Sequence, residues 1–456
     1  MRPSKAKDPR AAGPPSAAHR ACPPAFAGPA GRRPADSGPV GLPFEPGPEQ
    51  DAEDAEPDLD PLGTSDPHVI DRDVPAAVGR VLERLMAERV ARATALDPSF
   101  GQDVATRVAR FTLDGGKRTR SQFTWWALRA CGGGTAEAEA ALNLGSALEV
   151  IQTCALVHDD VMDRSARRRG GPALHADVTA QYADRVPPAQ GARFGEAVAI
   201  LAGDLALAWA DDIVADTVLA PGVRSRVRDL WSAMRTEMVA GQYLDLQGQA
   251  TSSRSVARAI RAACLKSALY SVERPLALGA ALAEADAATT RALCSAGRCV
   301  GMAFQLRDDL LDVFGDPART GKPAGSDIRA GKPTYLAAVA QARADAARDH
   351  RAAVVLRDSL GRADLSDPEL DEVREVLVGT GARDLVEEKI RRLVAQGMRH
   401  LDGAALPGHG RPRLAQLLRA AGGASPEADG LPVPAGTEDG MPASLLLAVT
   451  AEGAIR

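Results

Sequence analysis

Aromatic residues are scarce, with Phe, Trp and Tyr making up 4% of the 456 residues. Sandwiches and barrels draw on aromatic and β-branched side chains, so this shortage, beside abundant Ala, favours helices. Cysteines are few and far apart: Cys22, Cys131, Cys154, Cys264, Cys294 and Cys299 include no C-x-x-C pair and no histidine at metal-ligand spacing. That argues against a disulfide framework and a zinc site, and the thiols read as the reduced cysteines of a cytoplasmic protein. Neither sign of charge dominates. Fifty-five basic against 60 acidic residues leave a net charge of −5, with no global field to draw in nucleic acid or an anionic membrane. No run of eighteen apolar residues occurs and no signal-peptide core follows Met1, so a membrane span is not expected.

What is present is a large helical core. Hydrophobic residues reach 45%. Residues 1–72 are rich in Pro, Ala and Gly, too poor in apolar surface to offset ordering entropy, and are expected to be a disordered extension. Residues 421–456 read as a second flexible tail. Between them, over 73–420, helical periodicity predominates and no strand alternation persists. The expected helices span 78–93, 100–112, 119–130, 136–164, 194–219, 221–247, 255–284, 287–314, 334–360 and 368–401. Several are apolar nearly all round, as in the buried helices of a bundle.

Two aspartate clusters of identical spacing stand out: Asp159-Asp160-Val161-Met162-Asp163 and Asp308-Asp309-Leu310-Leu311-Asp312. In each, the first and last aspartates share a helix face while the second turns about 100° away. A lone D-D-x-x-D is as readily a solvated helix face. Here apolar stretches lead into both clusters, so the carboxylates project from buried helices and need neutralising. Hard divalent cations are the natural partners, Mg²⁺ above all when a phosphate completes the coordination. Two such helices facing each other could hold two or three ions.

Cations accompany the acids. Gly115-Gly116-Lys117-Arg118-Thr119-Arg120 sets basic groups at a loop-to-helix junction, where free backbone N–H groups favour an anion. Arg167-Arg168-Arg169-Gly170 follows the first cluster, Lys322 and Lys332 follow the second, and Lys266 lies on a middle helix. Any one of these alone is ordinary surface charge.

Taken in order, these motifs resemble the trans-prenyltransferases, the polyprenyl diphosphate synthase family. They run Gly-Gly-Lys-Arg-x-Arg, His158-Asp159-Asp160-Val161-Met162-Asp163 with Arg168-Arg169-Gly170, then Phe304-Gln305-x-x-Asp308-Asp309-x-x-Asp312 and Gly-Lys-Pro. The resemblance covers roughly residues 75–420, and near the first cluster it is strongest to actinobacterial geranylgeranyl diphosphate synthases. It implies an all-α isoprenoid synthase type I bundle around a deep central cavity, usually a homodimer. By carry-over, Asp159, Asp160, Asp163, Asp308 and Asp312 ligate Mg²⁺, with Asp309 close behind. Arg168, Lys266, Lys322 and Lys332 hold the allylic diphosphate; Lys117, Arg120 and Arg169 hold isopentenyl diphosphate; Gln305 and Gln242 line the wall.

The chain departs from the pattern twice. Gln152 stands where the family commonly has a histidine seven residues before the first aspartate, and Ser121 where proline is usual. Product length in this family follows bulk one to two turns upstream of the first cluster. Small Cys154 and Ala155 there imply a deep floor, with Ile151 as the next stop and geranylgeranyl diphosphate as the product. The alternatives are a longer polyprenyl product or a non-catalytic partner subunit. A terpene cyclase would need no second diphosphate site.

Overall fold

The computed structural model describes residues 66–316 and 324–423. The helices are α1 (Pro67–Arg72), α2 (Val74–Leu96), α3 (Pro98–Phe100), α4 (Thr106–Leu113), α5 (Thr119–Ala130), α6 (Thr135–Met162), α7 (Leu174–Gln181), α8 (Pro188–Asp216), α9 (Pro221–Ala250), α10 (Val256–Ala263), α11 (Arg274–Leu282) and α12 (Ala287–Phe314). Further helices cover Ser326–Arg329, Tyr335–Ala347, His350–Ser359, Asp367–Gly379, Ala382–Asp402 and Arg411–Gly422. The strands among the described residues are β1 (Arg167–Arg168) and β2 (Gly171–Pro172), a short antiparallel ribbon just after the first aspartate cluster.

Local chemistry starts the long helices. The Asp73 side chain accepts from the Ala76 N–H at 3.0 Å to cap α2, and Asp286 caps α12 through the Thr289 N–H at 2.7 Å. Pro188 and Pro221 open α8 and α9, where the missing N–H costs nothing. From Ser121 to Ala130 every residue of α5 is buried. Helix α6 passes through the centre, packing mainly on α8, while α12 packs on Ala382–Asp402 and on a π-helical segment, Cys264–Glu273. Helix α6 is long and apolar enough to cross a bilayer, but 78% of its apolar window is buried within the bundle, so here it is a core helix.

Several expectations need correction. The boundary at residue 72 is too late, because Pro67–Arg72 is helical, Ile70 is fully buried and Asp71 pairs with Arg129 at 3.1 Å. The boundary at 420 is too early, since the last described helix runs to Gly422. The rest of both tails lies outside the described residues. The helix expected over 334–360 breaks at Arg348, and that over 368–401 at Gly381, both with positive φ. Leu174–Gln181 and Arg411–Gly422 were not anticipated as helices.

Candidate active site

The two clusters sit at the C-terminal ends of α6 and α12 and meet at a cavity of about 1730 Å³. Asp159, Asp308, Asp309 and Asp312 line it, together with Lys117, Arg120, Arg168, Lys266 and Lys332. Gln152, Gln242 and Gln305 also face it, as do Cys154 and Ala155. Lys322 lies outside the described residues.

Asp159 is the hub of the first cluster. Its Oδ1 accepts from Lys266 Nζ and from Gln242 Nε2, both at 3.1 Å, and its Oδ2 from Arg168 at 3.5 Å. Burial would raise its carboxyl, but Lys266, then Lys332 and Arg168, outweigh burial and hold it below the usual carboxylate range. Lys266 sits on the π-helical segment and is also held by Asp245 at 2.8 Å. Its ammonium stays charged because Asp159 and Asp245 outweigh the burial that would lower its pKa. Gly241 lets the segment come this close: a Cβ there would stand 2.2 Å from the Lys266 backbone nitrogen.

Asp160 and Asp163 depart from a shared metal-facing role. Asp160 is 1% exposed and does not line the cavity; Arg168 donates to it from Nε at 2.8 Å and from a terminal nitrogen. Burial raises its carboxyl despite Arg168. Asp160 is therefore the anchor of the arginine rather than a cavity-facing ligand. The cause is the 100° turn per residue, which aims it into the bundle. Asp163 lies off the lining too and pairs with Lys332 at 2.7 Å, tying the first cluster to the segment beyond the second.

In the second cluster Asp309 is buried and accepts from Gln305 Nε2 at 2.8 Å. Burial, reinforced by Asp327, Asp308 and Asp245, pushes its carboxyl well above the ordinary range. Asp312 accepts from the Asp327 N–H at 2.9 Å and from the Ser326 hydroxyl, and Lys332 lies 3.4 Å from Asp327. Asp245 and Asp327 were missed from sequence. The Gln242-x-x-Asp245 spacing, which puts two polar groups on one helix face a turn apart, was the available signal for Asp245.

A second basic group gathers around the loop before α5. Arg118 and Arg169 both adopt positive φ, uncommon for residues with a side chain. Arg120 donates to Ser271 at 3.0 Å and lies 4.4 Å above the Tyr270 ring. Burial lowers the pKa of Arg169, opposed by Glu149 and reinforced by Arg168, Arg118 and Arg120, so several like charges crowd one region. Arg118 Nη1, Arg120 Nε and Gln152 Oε1 are buried without a protein partner. Such a cluster, with backbone N–H groups at a helix start, suits a diphosphate. Arg169 does not line the main cavity; it stacks on Phe111 and donates to its carbonyl at 2.8 Å.

Ile151 corrects another expectation. It is fully buried in the core and does not line the cavity, because neighbouring apolar side chains fill that level of α6. His158 lines the cavity and donates from Nε2 to the Ile200 carbonyl at 3.1 Å, tying α6 to α8. Burial pushes the Cys154 thiol up to about 12, aided by Asp204 and Asp211, so it is inert lining.

The donor set fits Mg²⁺. Carboxylate oxygens from both clusters are hard ligands, and Asp163 Oδ1 is buried without a protein partner. Among the described residues no three acidic, His or Cys groups converge as a closed cage. Mg²⁺ commonly takes one or two carboxylates, waters and substrate phosphates rather than an all-protein cage.

Comparison with known proteins agrees. The family model described as polyprenyl synthetase matches residues 102–375. A (2E,6E)-farnesyl diphosphate synthase of Mycobacterium tuberculosis is 32% identical over 283 residues, 62% of this chain and 72% of that protein. A geranylfarnesyl diphosphate synthase of Aeropyrum pernix is 32% identical over 280 residues, covering 61% of this chain and 80% of its own. Geranylgeranyl pyrophosphate synthase from Corynebacterium glutamicum, solved with isoprenyl diphosphate and magnesium, superposes with a TM-score of 0.72 at 37% identity, over 80% of this chain and 100% of that one. With the fold, the paired clusters and the cations in the family's order, the chain belongs to the polyprenyl synthetase family and is a prenyltransferase of the trans-prenyl diphosphate synthase type.

Proposed function

We propose that this enzyme condenses isopentenyl diphosphate head-to-tail with an allylic diphosphate and releases geranylgeranyl diphosphate as its main product. The observation that carries this reading is the single cavity with acids and cations at one level and small Cys154 and Ala155 below it. Asp159, Asp308 and Asp312, with Asp163 beside them, would hold two or three Mg²⁺ ions. The metal supplies positive charge to the leaving diphosphate. Arg168, Lys266 and Lys332 add theirs, turning from Asp159 and Asp163 to the diphosphate oxygens as substrate enters. Lys322, ten residues beyond Asp312 in sequence, is assigned the same role on its motif alone. Lys117, Arg120 and Arg169 orient the isopentenyl diphosphate, with Gln152 offering one neutral hydrogen bond in place of a histidine.

The allylic C–O bond then breaks, its electron pair leaving with the diphosphate. The isopentenyl double bond attacks the cation, and a proton passes to the released pyrophosphate. Apolar walls keep water from the cation.

A homodimer fits the exposed Phe194, Ile200 and Leu201 of α8, large apolar side chains that a partner surface would cover. A cytoplasmic setting fits free Cys131, Cys154, Cys264, Cys294 and Cys299.

The test incubates the purified protein with isopentenyl and farnesyl diphosphates, with Mg²⁺ or chelator, and sizes the dephosphorylated products. A geranylgeranyl product that vanishes with chelator is expected. A ladder of longer chains would move the enzyme to the long-chain synthases. No elongation with any allylic starter would point to a partner subunit.

A further inference from the structure

Below the diphosphate level the cavity changes character twice. First come Cys154, Ala155, Leu207, Met238 and Val239, small or apolar groups suited to an isoprenoid chain. The lining then turns polar on α9, at Ser232, Arg235 and Thr236. Helical register sets the depth. Gln242 on α9 touches Asp159, and Arg235 precedes Gln242 by seven residues, about 10 Å along the axis. Cys154 and Ala155 precede Asp159 by five and four residues on α6. Arg235 thus lies roughly 4 Å deeper than they do, close to the reach of one more five-carbon unit.

At that depth α9 is tied to α8. Arg235 Nη1 pairs with Asp211 Oδ2, and Trp231, one turn away and buried, donates from its indole N–H to Asp211 Oδ1 at 2.7 Å. Asp211 does not itself line the cavity but stands behind Arg235, which does. Arg235 Nε is buried without a protein partner. The Arg235 and Asp211 side chains keep 34% and 38% of their surface exposed, so a hydrocarbon tail that advanced here would have to displace the water that solvates two charged groups.

We infer that the Arg235–Asp211 ion pair, held by Trp231, is the floor that stops chain growth in this enzyme, and that it acts by charge rather than by bulk. This rests on the prenyl transfer reading above and assigns the product-length role to α8 and α9 instead of Ile151. An aliphatic side chain at position 235 would remove the polar barrier and open the way along α9, whereas lysine would keep it.

The experiment uses the full chain with farnesyl and isopentenyl diphosphates and Mg²⁺, comparing product sizes of wild type, Arg235→Leu, Arg235→Lys and Asp211→Asn. Wild type and Arg235→Lys are expected to stop at geranylgeranyl. Arg235→Leu is expected to shift most product at least one five-carbon unit longer. Asp211→Asn keeps an acceptor for Trp231 but removes the charged partner that fixes the Arg235 guanidinium across the path, so it guards against misfolding of the leucine variant and is expected to lengthen products as well. An unchanged profile in Arg235→Leu or in a folded Asp211→Asn overturns the floor. Wild type that elongates past geranylgeranyl also overturns it, yet leaves prenyl transfer standing. Wild type without any elongation counts against the transfer reading itself.

Discussion

At the scale of the residue, one carboxylate organises the site. Asp159 receives Lys266, Gln242 and Arg168 and lines the cavity, whereas Asp160, its neighbour in sequence, is spent on Arg168 in the interior. The two should therefore fail differently. Asp159→Ala or Asp308→Ala is expected to lower kcat by at least about 100-fold, the scale of a lost charge-stabilising group, with the far-ultraviolet circular dichroism unchanged. Near-normal turnover in either would sink the metal assignment. Product length gives a second test at this scale. Cys154 and Ala155 both face the cavity, so Cys154→Phe and Ala155→Phe fill it and are expected to yield shorter products, read by chromatography after dephosphorylation.

Elements hold these residues in place through their ends and irregularities. The π-helical segment Cys264–Glu273 carries Lys266, Tyr270 and Ser271 into the cavity, and π turns often mark functional positions. Caps are cheaper devices. Asp73→Ala removes the cap of α2 and should cost about 1 kcal/mol in urea denaturation. The helix Asp367–Gly379 opens with a reciprocal box in which the Ser366 hydroxyl and N–H donate to Glu369. These bonds, with Arg362, bring the Glu369 carboxyl down to about 2. Because its folded pKa lies below the ordinary 4.5, its stabilisation is present above that value and fades as pH falls toward 2. The stability gap between wild type and Glu369→Gln should shrink over that window, and a gap independent of pH would contradict the box.

For the whole molecule, opposed charges at the cavity are the organising feature. Lys266 pairs with Asp159, Lys332 with Asp163 and Arg168 with Asp160, so protein cations already balance the carboxylates of the first cluster. Chelator alone should leave the melting temperature almost unchanged. Pyrophosphate with Mg²⁺ should raise it, by about 2.7 kcal/mol of stability at a hundredfold excess over Kd, while pyrophosphate with chelator should not. Equal stabilisation in both conditions would show that the cations alone bind the diphosphate.

Much of this was legible in the chain. Helices α5 and α12 fall at 119–130 and 287–314 as helical periodicity required, because that signal is local. The paired clusters, the basic loop before α5 and the order of motifs were equally local, and they sufficed for the family. Short Leu174–Gln181 and Arg411–Gly422 escaped notice, since brief helices are stabilised by what they pack on more than by their own pattern. The sequence by itself determined the chemistry: hard acids, cations and small residues in a fixed order along helices. Only the tertiary structure decided which carboxylates reach the cavity, that Asp160 anchors Arg168, and that Ile151 lies in packed core. Those outcomes depend on how α6, α8, α9 and α12 approach one another, and burial and pairing between distant segments are not written in any local spacing.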